Sequence, residues 1–214
     1  PVVLCLDRGG LVGEDGVTHH GVFDMAAFGA VPGLTIAAPM NEPELRNMMY
    51  TALGSGHPFM IRYPRGHGEG LPWRGEKFEA LPVGRGRRLR EGDDVALVSV
   101  GTVGNAAARA AERAAAEGVN AAHYDLRFVK PLDEALLDEV GRKFRRVVTV
   151  EDGALRGGVG EAVAAFFNDR GYDVRVHRLG IGDEWVEHGT PGQLYALCGY
   201  DEEGILRALL DTRA

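Results

Sequence analysis

The sequence predicts an α/β protein whose sheets are mostly parallel and carry helices on both faces. Short apolar runs recur along the chain, and most of them end in a polar or glycine-rich loop, as strands of a parallel sheet do. Segments with helical periodicity alternate with these runs. A non-periodic segment rich in Gly, Pro and charge, residues 67–82, interrupts the pattern. We therefore expect two units, residues 1–66 and 83–214, joined by a linker.

The first unit is predicted to contain three strands and a capped helix. The predicted strands are Val2–Leu6, Leu34–Ala38 and Pro58–Tyr63. Asn41 and Glu44 have the spacing of an N-cap and its third helical residue, which predicts a helix start. Gly54 is expected to help end that helix. The pattern is that of a βαβαβ segment without its beginning, so we expect that part of the protein precedes Pro1.

The second unit is predicted to alternate four strands with helices. The strands are Val95–Val100, Val119–Leu126, Val147–Glu151 and Val174–Leu179. The helices are Val103–Glu117, a helix from Asp133 to about Phe144, Gly157–Arg170 and Asp201–Leu210. Thr102 and Asp133 are expected to act as N-caps. We interpret the charge run Arg85–Arg90 as a solvent-exposed hairpin at the sheet edge.

The composition argues against several classes of protein. The chain has 24 Lys and Arg against 31 Asp and Glu, and a net charge of −7 disfavours nucleic acid and a polybasic membrane patch. No apolar run approaches the ~18 residues that span a bilayer, which predicts a soluble chain. Cys5 and Cys198 are too few for a disulfide scaffold, which favours a reducing compartment. We expect both to be core thiols.

The loop after the first strand concentrates residues that can carry chemistry. Ligands bind at the carboxyl ends of strands in open α/β sheets. Residues 7–21 contain five glycines, Arg8, and the histidines His19 and His20. Glycine lets the backbone approach a ligand, arginine binds phosphate or carboxylate, and histidine exchanges protons near neutral pH. An ordinary surface loop remains the alternative, and the histidine spacing disfavours a zinc site.

Other basic residues follow later strands. Arg62 and Arg65 lie at the carboxyl end of the third strand, where they can face the same crevice as Arg8. We interpret Arg62 as the structural partner of a carboxylate and Arg65 as a ligand-binding residue. Arg127 and Lys130 could extend to a site between the units, although a structural role is favoured for both.

The glycines at 157–160 open a predicted helix and superficially resemble a phosphate-binding turn. The segment lacks the Lys-Ser/Thr pair of a P-loop and the full dinucleotide fingerprint. We therefore favour close packing of this helix on a neighbouring element.

Two strings, LDRGGLVGEDGVTHHGVFD at residues 6–24 and RYPRG at residues 62–66, resemble those of the 1-deoxy-D-xylulose-5-phosphate synthases, which are thiamine-diphosphate enzymes of the transketolase type. The resemblance continues through APMNEPELRNMMYTAL, DLRFVKPLDEALL, VEDGALRGGVGEAV and DEWVEHGTPGQLYALCGYDEEGI, and covers essentially the whole chain. It implies that residues 1–66 end a transketolase pyrimidine-binding domain. Residues 83–214 would then form a complete transketolase C-terminal domain.

The resemblance also implies a reaction and the residues that carry it. Pyruvate would be decarboxylated and its two-carbon unit transferred to D-glyceraldehyde 3-phosphate, which yields 1-deoxy-D-xylulose 5-phosphate and CO2 for isoprenoid, thiamine and pyridoxal phosphate synthesis. Arg8 and Arg65 match the family's phosphate-binding arginines. Asp15 and His19 match the catalytic DGxTH pair, whereas His20 occupies a more variable position that is often Gln in relatives.

The implied cofactors are thiamine diphosphate and Mg, both bound mainly by the part of the protein before Pro1. The family's activating Glu lies there, so no cofactor-binding or metal-binding residue is expected in this chain. The expected partners are the N-terminal fragment of the same polypeptide and a second copy in a homodimer. Neither nucleic acid nor a membrane is expected, and the expected location is the bacterial cytoplasm.

Two alternatives stay open. The chain could belong to another transketolase-type enzyme, such as transketolase itself or the decarboxylase beta subunit of a 2-oxo-acid dehydrogenase complex, which differ in the DGxTH loop. In isolation it could also be a non-catalytic module for dimerisation or interaction.

Overall fold

Two sheets organise residues 1–75 and 77–211, which the computed structural model describes. The strands are β1 Val3–Leu6, β2 Thr35–Ala37, β3 Phe59–Arg62, β4 Arg87–Arg90, β5 Val95–Val100, β6 Ala121–Asp125, β7 Phe128–Lys130, β8 Arg146–Ala154 and β9 Arg175–Ile181. The helices are α1 Asp24–Gly29, α2 Glu42–Gly54, α3 Val103–Ala116, α4 Glu134–Lys143, α5 Val159–Asp169, α6 Pro191–Leu197 and α7 Glu202–Leu210. A short 3-10 helix, Gly13–Asp15, precedes α1.

The first sheet has the order β1-β3-β2-β7. Strands β1, β3 and β2 are parallel, as the βαβαβ pattern predicted, and β7 runs antiparallel to β2. Because side chains alternate across a strand, Phe59 and Ile61 face α2 while Met60 packs on the side of Phe28 in α1. Strand β7 comes from the second half of the chain, so this sheet joins both parts of the sequence.

The second sheet has the order β4-β6-β5-β8-β9, and only β4 is antiparallel to its neighbour. Val95 and Leu97 pack against α3 and α7 on one face. Ala96 and Val98 pack against α4 and α5 on the other face. The mostly parallel sheets with helices on both faces are therefore confirmed.

Most of the predicted helix starts are confirmed by side-chain caps. The carboxamide of Asn41 accepts a hydrogen bond from the backbone N–H of Glu44, and the carboxylate of Asp133 accepts one from Leu136. The prediction for Thr102 is wrong. Its backbone is already in the helical region, whereas an N-cap residue needs extended φ/ψ to place its oxygen over the first turn.

The interpretation of Arg85–Arg90 as a hairpin is wrong, although the edge position is correct. Residues 87–90 form β4, which pairs with β6 rather than with the strand next in sequence. The half-buried Arg87 points inward, 2.9 Å from Glu44 Oε1 and 3.1 Å from Asp125 Oδ2. Arg87 is thus paired with two buried carboxylates, whereas the charge run alone predicted a solvent-exposed side chain.

Several features had no sequence prediction. Strand β7 and helices α1 and α6 are too short to show a clear period. Cys5 is exposed, which corrects its expected core position, because β1 is the edge strand of its sheet. Apart from Glu76, which lies outside the described residues, no helix or strand forms between Pro64 and Pro82. Nor does any helix in the described parts of the chain have the length and apolarity to cross a membrane.

Candidate functional site

Residues 7–21 form a closed loop at the carboxyl end of β1, named here the site loop. Gly10 and Gly21 exchange two backbone hydrogen bonds of 2.8 and 2.9 Å that close its base. The N–H of Gly9 donates to the carbonyl of Tyr63 at 2.9 Å, which ties the loop to the chain after β3. Gly13 has a φ of 74°, a left-handed conformation that glycine adopts at little cost. The loop thus returns its polar side chains to the end of the first sheet.

The structure brings four predicted site residues together around one carboxylate. Arg65 Nη1 donates to Asp15 Oδ2, and Arg8 Nε lies 4.0 Å from the same oxygen. The hydrogen bond from Arg65, and after it the charges of Arg65, His19 and Arg8, hold the pKa of Asp15 below its ordinary value despite some desolvation. Both arginine side chains are about half exposed, at 41% for Arg8 and 54% for Arg65. They can therefore meet a ligand from solvent.

The two histidines of the site loop differ in their surroundings. His19 is exposed, and its Nδ1 lies 2.9 Å from Thr18 Oγ1. His20 is half-buried: its Nδ1 accepts from the N–H of Val12 at 3.1 Å, and its Nε2 lies 3.1 Å from the carbonyl oxygen of Val186. His19 can face a ligand, whereas both ring nitrogens of His20 contact the protein.

Arg62 pairs with a buried carboxylate, as predicted. Its Nε donates to Asp24 Oδ2 at 2.7 Å, and its Nη2 donates to the carbonyls of Gly21 and Asp152 at 3.2 and 2.9 Å. The side chain is buried. Arg62 therefore supports the base of the site loop.

Arg127 and Lys130 have structural partners, as favoured. Arg127 binds Glu44 through two hydrogen bonds of 2.7 and 2.8 Å, which connect the chain after β6 to α2. Lys130 Nζ donates to the carbonyls of Gly29 and Val31 at 2.9 and 2.6 Å. Neither side chain contacts the Arg8–Asp15–Arg65 cluster in these interactions.

The glycines at 157–160 serve packing, as favoured. A Cβ on Gly158 would lie 2.3 Å from the carbonyl oxygen of Ala154, and one on Gly160 would lie 2.5 Å from Thr149 Oγ1. The backbone donors at the start of α5 are taken by a side chain of the protein rather than by a phosphate. The carboxyl group of Glu151 accepts from the N–H groups of Val159 and Gly160, both at 2.8 Å. The helix therefore packs directly on β8.

Asp152 is a residue that sequence reasoning missed. Its buried carboxylate accepts from the N–H of Leu11 in the site loop at 3.0 Å and from the hydroxyl of Tyr200 at 2.7 Å. Burial raises its pKa. Only the position of Asp152 near the end of an apolar run, before Gly153, could have drawn attention to it.

A cavity of about 710 Å³ lies between the two units. Its lining includes Tyr63, Arg65, Asn105, Asp152 and Tyr195. Residues that follow β3 and residues of the second unit therefore face the same space. Within 1–75 and 77–211, no group of three or more His, Cys, Asp and Glu side chains is arranged to hold a metal ion.

Two family models match the chain. The model described as the transketolase pyrimidine binding domain matches residues 1–69, and the model of the transketolase C-terminal domain matches residues 84–205.

Curated relatives match over nearly the whole chain. It is 56% identical over 214 residues to a protein of Bacteroides fragilis named 1-deoxy-D-xylulose-5-phosphate synthase, covering 99% of this chain and 33% of that protein. A protein of the same name from Symbiobacterium thermophilum is 46% identical over 205 residues, covering 96% of this chain and 31% of its own length. The chain thus spans about a third of the length of these relatives.

Solved transketolase structures share the fold. One, described as a split-gene transketolase in an inactive beta4 tetramer, has a TM-score of 0.86 at 28% identity and covers 97% of this chain and 65% of its own. A transketolase mutant from Pichia stipitis has a TM-score of 0.75 at 21% identity, over 97% of this chain and 29% of its own. The second likeness concerns the fold alone.

Proposed function

The chain belongs to the transketolase family, and we propose that it is the C-terminal part of a 1-deoxy-D-xylulose-5-phosphate synthase. The proposed reaction decarboxylates pyruvate and transfers the two-carbon unit to D-glyceraldehyde 3-phosphate. The products are 1-deoxy-D-xylulose 5-phosphate and CO2. The proposal is supported by relatives of that name at 46–57% identity and by the geometry of the site loop.

The observation that carries the proposal is the convergence of Arg8 and Arg65 on the single carboxylate of Asp15. Arg8 Nη1 also donates to Asp7 Oδ2 at 2.6 Å. A guanidinium group offers five donors, so these two carboxylates leave most of the ten donors of the pair available. A phosphate dianion suits two exposed arginines because bidentate, charge-assisted hydrogen bonds are short and strong. We therefore assign Arg8 and Arg65 to the phosphate group of the aldehyde substrate. Asp15 orients both guanidinium groups before the substrate binds.

His19 is the proposed proton donor and acceptor of this chain. It is exposed in the site loop, and a histidine side chain can carry its proton as an imidazolium. In that form it can donate a hydrogen bond to the pyruvate carboxylate or to an oxygen that gains charge during the reaction. Asp15 and His19 would thus act as the catalytic pair, with the arginines holding the far end of the aldehyde.

Thiamine diphosphate, when bound, supplies the carbon nucleophile for this reaction. We propose that it and its Mg ion are bound mainly by the part of the protein that the resemblance places before Pro1. The exposed Asp15–His19 side of the site loop would then face that part. The chain's own contribution is to bind the phosphate of the aldehyde and to hold the proton-transferring pair.

The same proposal covers partners and organisation. We propose residues 1–66 as the end of the pyrimidine-binding domain, 67–82 as the linker and 83–214 as the C-terminal domain of a homodimeric, cytoplasmic enzyme. The partner within the enzyme is the N-terminal part of the same polypeptide. The split-gene relative is described as an inactive tetramer of beta chains, which supports a piece of this kind that self-associates without activity.

Titration with thiamine diphosphate tests the proposal. We expect no binding to the 214-residue chain alone, and binding together with product formation from pyruvate and D-glyceraldehyde 3-phosphate when the upstream part is present. Calorimetry measures the binding, and chromatography detects 1-deoxy-D-xylulose 5-phosphate. Binding by the chain alone would contradict the placement of the cofactor site in the upstream part. A complete protein that forms no 1-deoxy-D-xylulose 5-phosphate would contradict the proposed activity.

A further inference from the structure

Two consecutive amides of the site loop are held by side chains rather than by backbone carbonyls. The N–H of Leu11 donates to Asp152 Oδ1 at 3.0 Å, and the N–H of Val12 donates to His20 Nδ1 at 3.1 Å. Leu11 and Val12 lie between Arg8 and Asp15 in the sequence. The backbone between Arg8 and Asp15 is therefore fixed at its middle.

Both acceptors are themselves anchored in the second unit. Asp152 belongs to β8, and its Oδ1 also accepts from the hydroxyl of Tyr200 at 2.7 Å. His20 Nδ1 must be unprotonated to accept from Val12, so its Nε2 carries the proton and donates to the carbonyl of Val186 at 3.1 Å. The fixed amides thus connect the loop to the core of the second unit.

The packing around these bonds leaves little room for the loop to move. Gly10 has a φ of 84°, and a Cβ there would lie 1.9 Å from Asp152 Oδ2. A Cβ on Gly13 would lie 2.8 Å from Pro191 Cδ at the start of α6. Leu11 itself is buried in the core cluster that includes Val186 and Tyr200.

We propose that Asp152 and His20 are positioning residues that set the place of Arg8 and Asp15 relative to Arg65. Their action is indirect, because each binds backbone of the site loop and neither forms a hydrogen bond or ion pair with the predicted ligand-binding side chains in the described structure. A displacement of about 1 Å in such a site can cost up to about a hundredfold in rate. The expected effect of these residues on substrate binding rests on the proposed function. Their expected effect on the order of the site loop does not.

Paired variants separate this role from a general structural one. Asp152→Asn and His20→Gln each keep an oxygen that can accept from the same amide, and the Gln side chain can also donate to Val186. Asp152→Ala and His20→Leu remove the acceptor. Asp169→Ala and His57→Leu serve as matched controls, because both side chains are exposed and His57 lies before the amino end of β3.

Hydrogen exchange followed by mass spectrometry on the complete protein measures the loop directly. We expect peptides containing Leu11 and Val12 to lose protection in Asp152→Ala and His20→Leu, and to keep it in the Asn, Gln and control variants. Unchanged protection in both acceptor-free variants would overturn the proposal. Should Asp152→Ala fail to fold, the half-buried His20 pair decides the question.

Steady-state kinetics on the same samples measure the consequence. We expect KM for D-glyceraldehyde 3-phosphate to rise about tenfold in the acceptor-free variants, with KM for pyruvate unchanged and the Asn and Gln variants restored. Loss of protection with both KM values unchanged would overturn the positioning role. A wild-type protein inactive on these substrates would overturn the proposed function, while exchange would still decide whether Asp152 and His20 hold the loop.

Discussion

Arg62 and Arg65 lie three residues apart at the carboxyl end of β3 and have opposite environments. The side chain of Arg62 is 5% exposed and donates to Asp24 and to two backbone carbonyls, whereas that of Arg65 is 54% exposed and binds one carboxylate. Arg127, bound to Glu44 through two hydrogen bonds, resembles Arg62. Arg8 resembles Arg65, since its side chain is 41% exposed.

The difference shows how one residue type serves both the fold and the site. A buried guanidinium is tolerated when acceptors surround it, because an unpaired charge away from water is costly. An exposed guanidinium keeps its solvent-facing donors and can exchange water for a ligand. Burial and saturation of donors, rather than position in the sequence, therefore distinguish the structural arginines from those proposed to bind substrate.

The largest expected effect is on stability, from Arg62→Met. Removing this guanidinium leaves Asp24 buried without its partner, so the free energy of unfolding should fall by about 3–5 kcal/mol. Urea denaturation of the 214-residue chain measures the loss. Arg145→Met is the control: its ion pair with Asp173 is highly exposed, and its loss should cost about 1 kcal/mol or less. Similar losses in the two variants would contradict the distinction.

The next effect is on substrate binding, from Arg65→Met in the complete enzyme. Losing charge-assisted hydrogen bonds worth about 1.5–3 kcal/mol should raise KM for D-glyceraldehyde 3-phosphate by about tenfold to a hundredfold. KM for pyruvate should stay near that of the wild type, and the free energy of unfolding should change by about 1 kcal/mol or less. Steady-state kinetics with each substrate varied in turn provide the measurement. An equal rise for both substrates would remove Arg65 from phosphate binding.

His19→Ala should lower the turnover number by at least about tenfold. This is a lower bound, because a positioned general acid or base contributes about a hundredfold or more to the rate. The exposed ring makes few contacts in the fold, so unfolding should be unaffected. His57→Ala, in an exposed loop before β3, provides the comparison. A turnover number equal to that of the wild type would exclude His19 from the reaction.

The smallest effect is on the titration of Asp15. Its pKa is lowered chiefly by the hydrogen bond from Arg65, so in Arg65→Met it should rise towards its ordinary value near 3.8. A lowered folded pKa means that this interaction stabilises the loop above about pH 4 and is lost as the pH falls through the lowered pKa. Carbon-detected NMR of the carboxyl group measures the change, and Arg145→Met should not produce it. An unchanged Asp15 pKa in Arg65→Met would show that the ion pair is absent in solution.

The predictions that succeeded rested on local chemistry. Asn41 and Asp133 were identifiable as caps because their acceptors bind N–H groups three residues away. Thr102 failed because the backbone turns at Gly101 and enters the helical region too early, which composition does not show. Strand β7 was not predicted, because it is short and its pairing with β2 joins residues far apart in sequence.

The sequence by itself determined the alternation of strands and helices, the loop that carries Arg8, Asp15 and His19, and the family resemblance on which their proposed roles rest. These follow from periodicity, capping and motif spacing, which act over a few residues. Only the tertiary structure decided that Arg65 meets Asp15, that Arg62 is buried, and that Asp152 holds Leu11 from a distance of 141 residues along the chain. Such contacts depend on how two sheets close against each other, and no local pattern encodes that geometry.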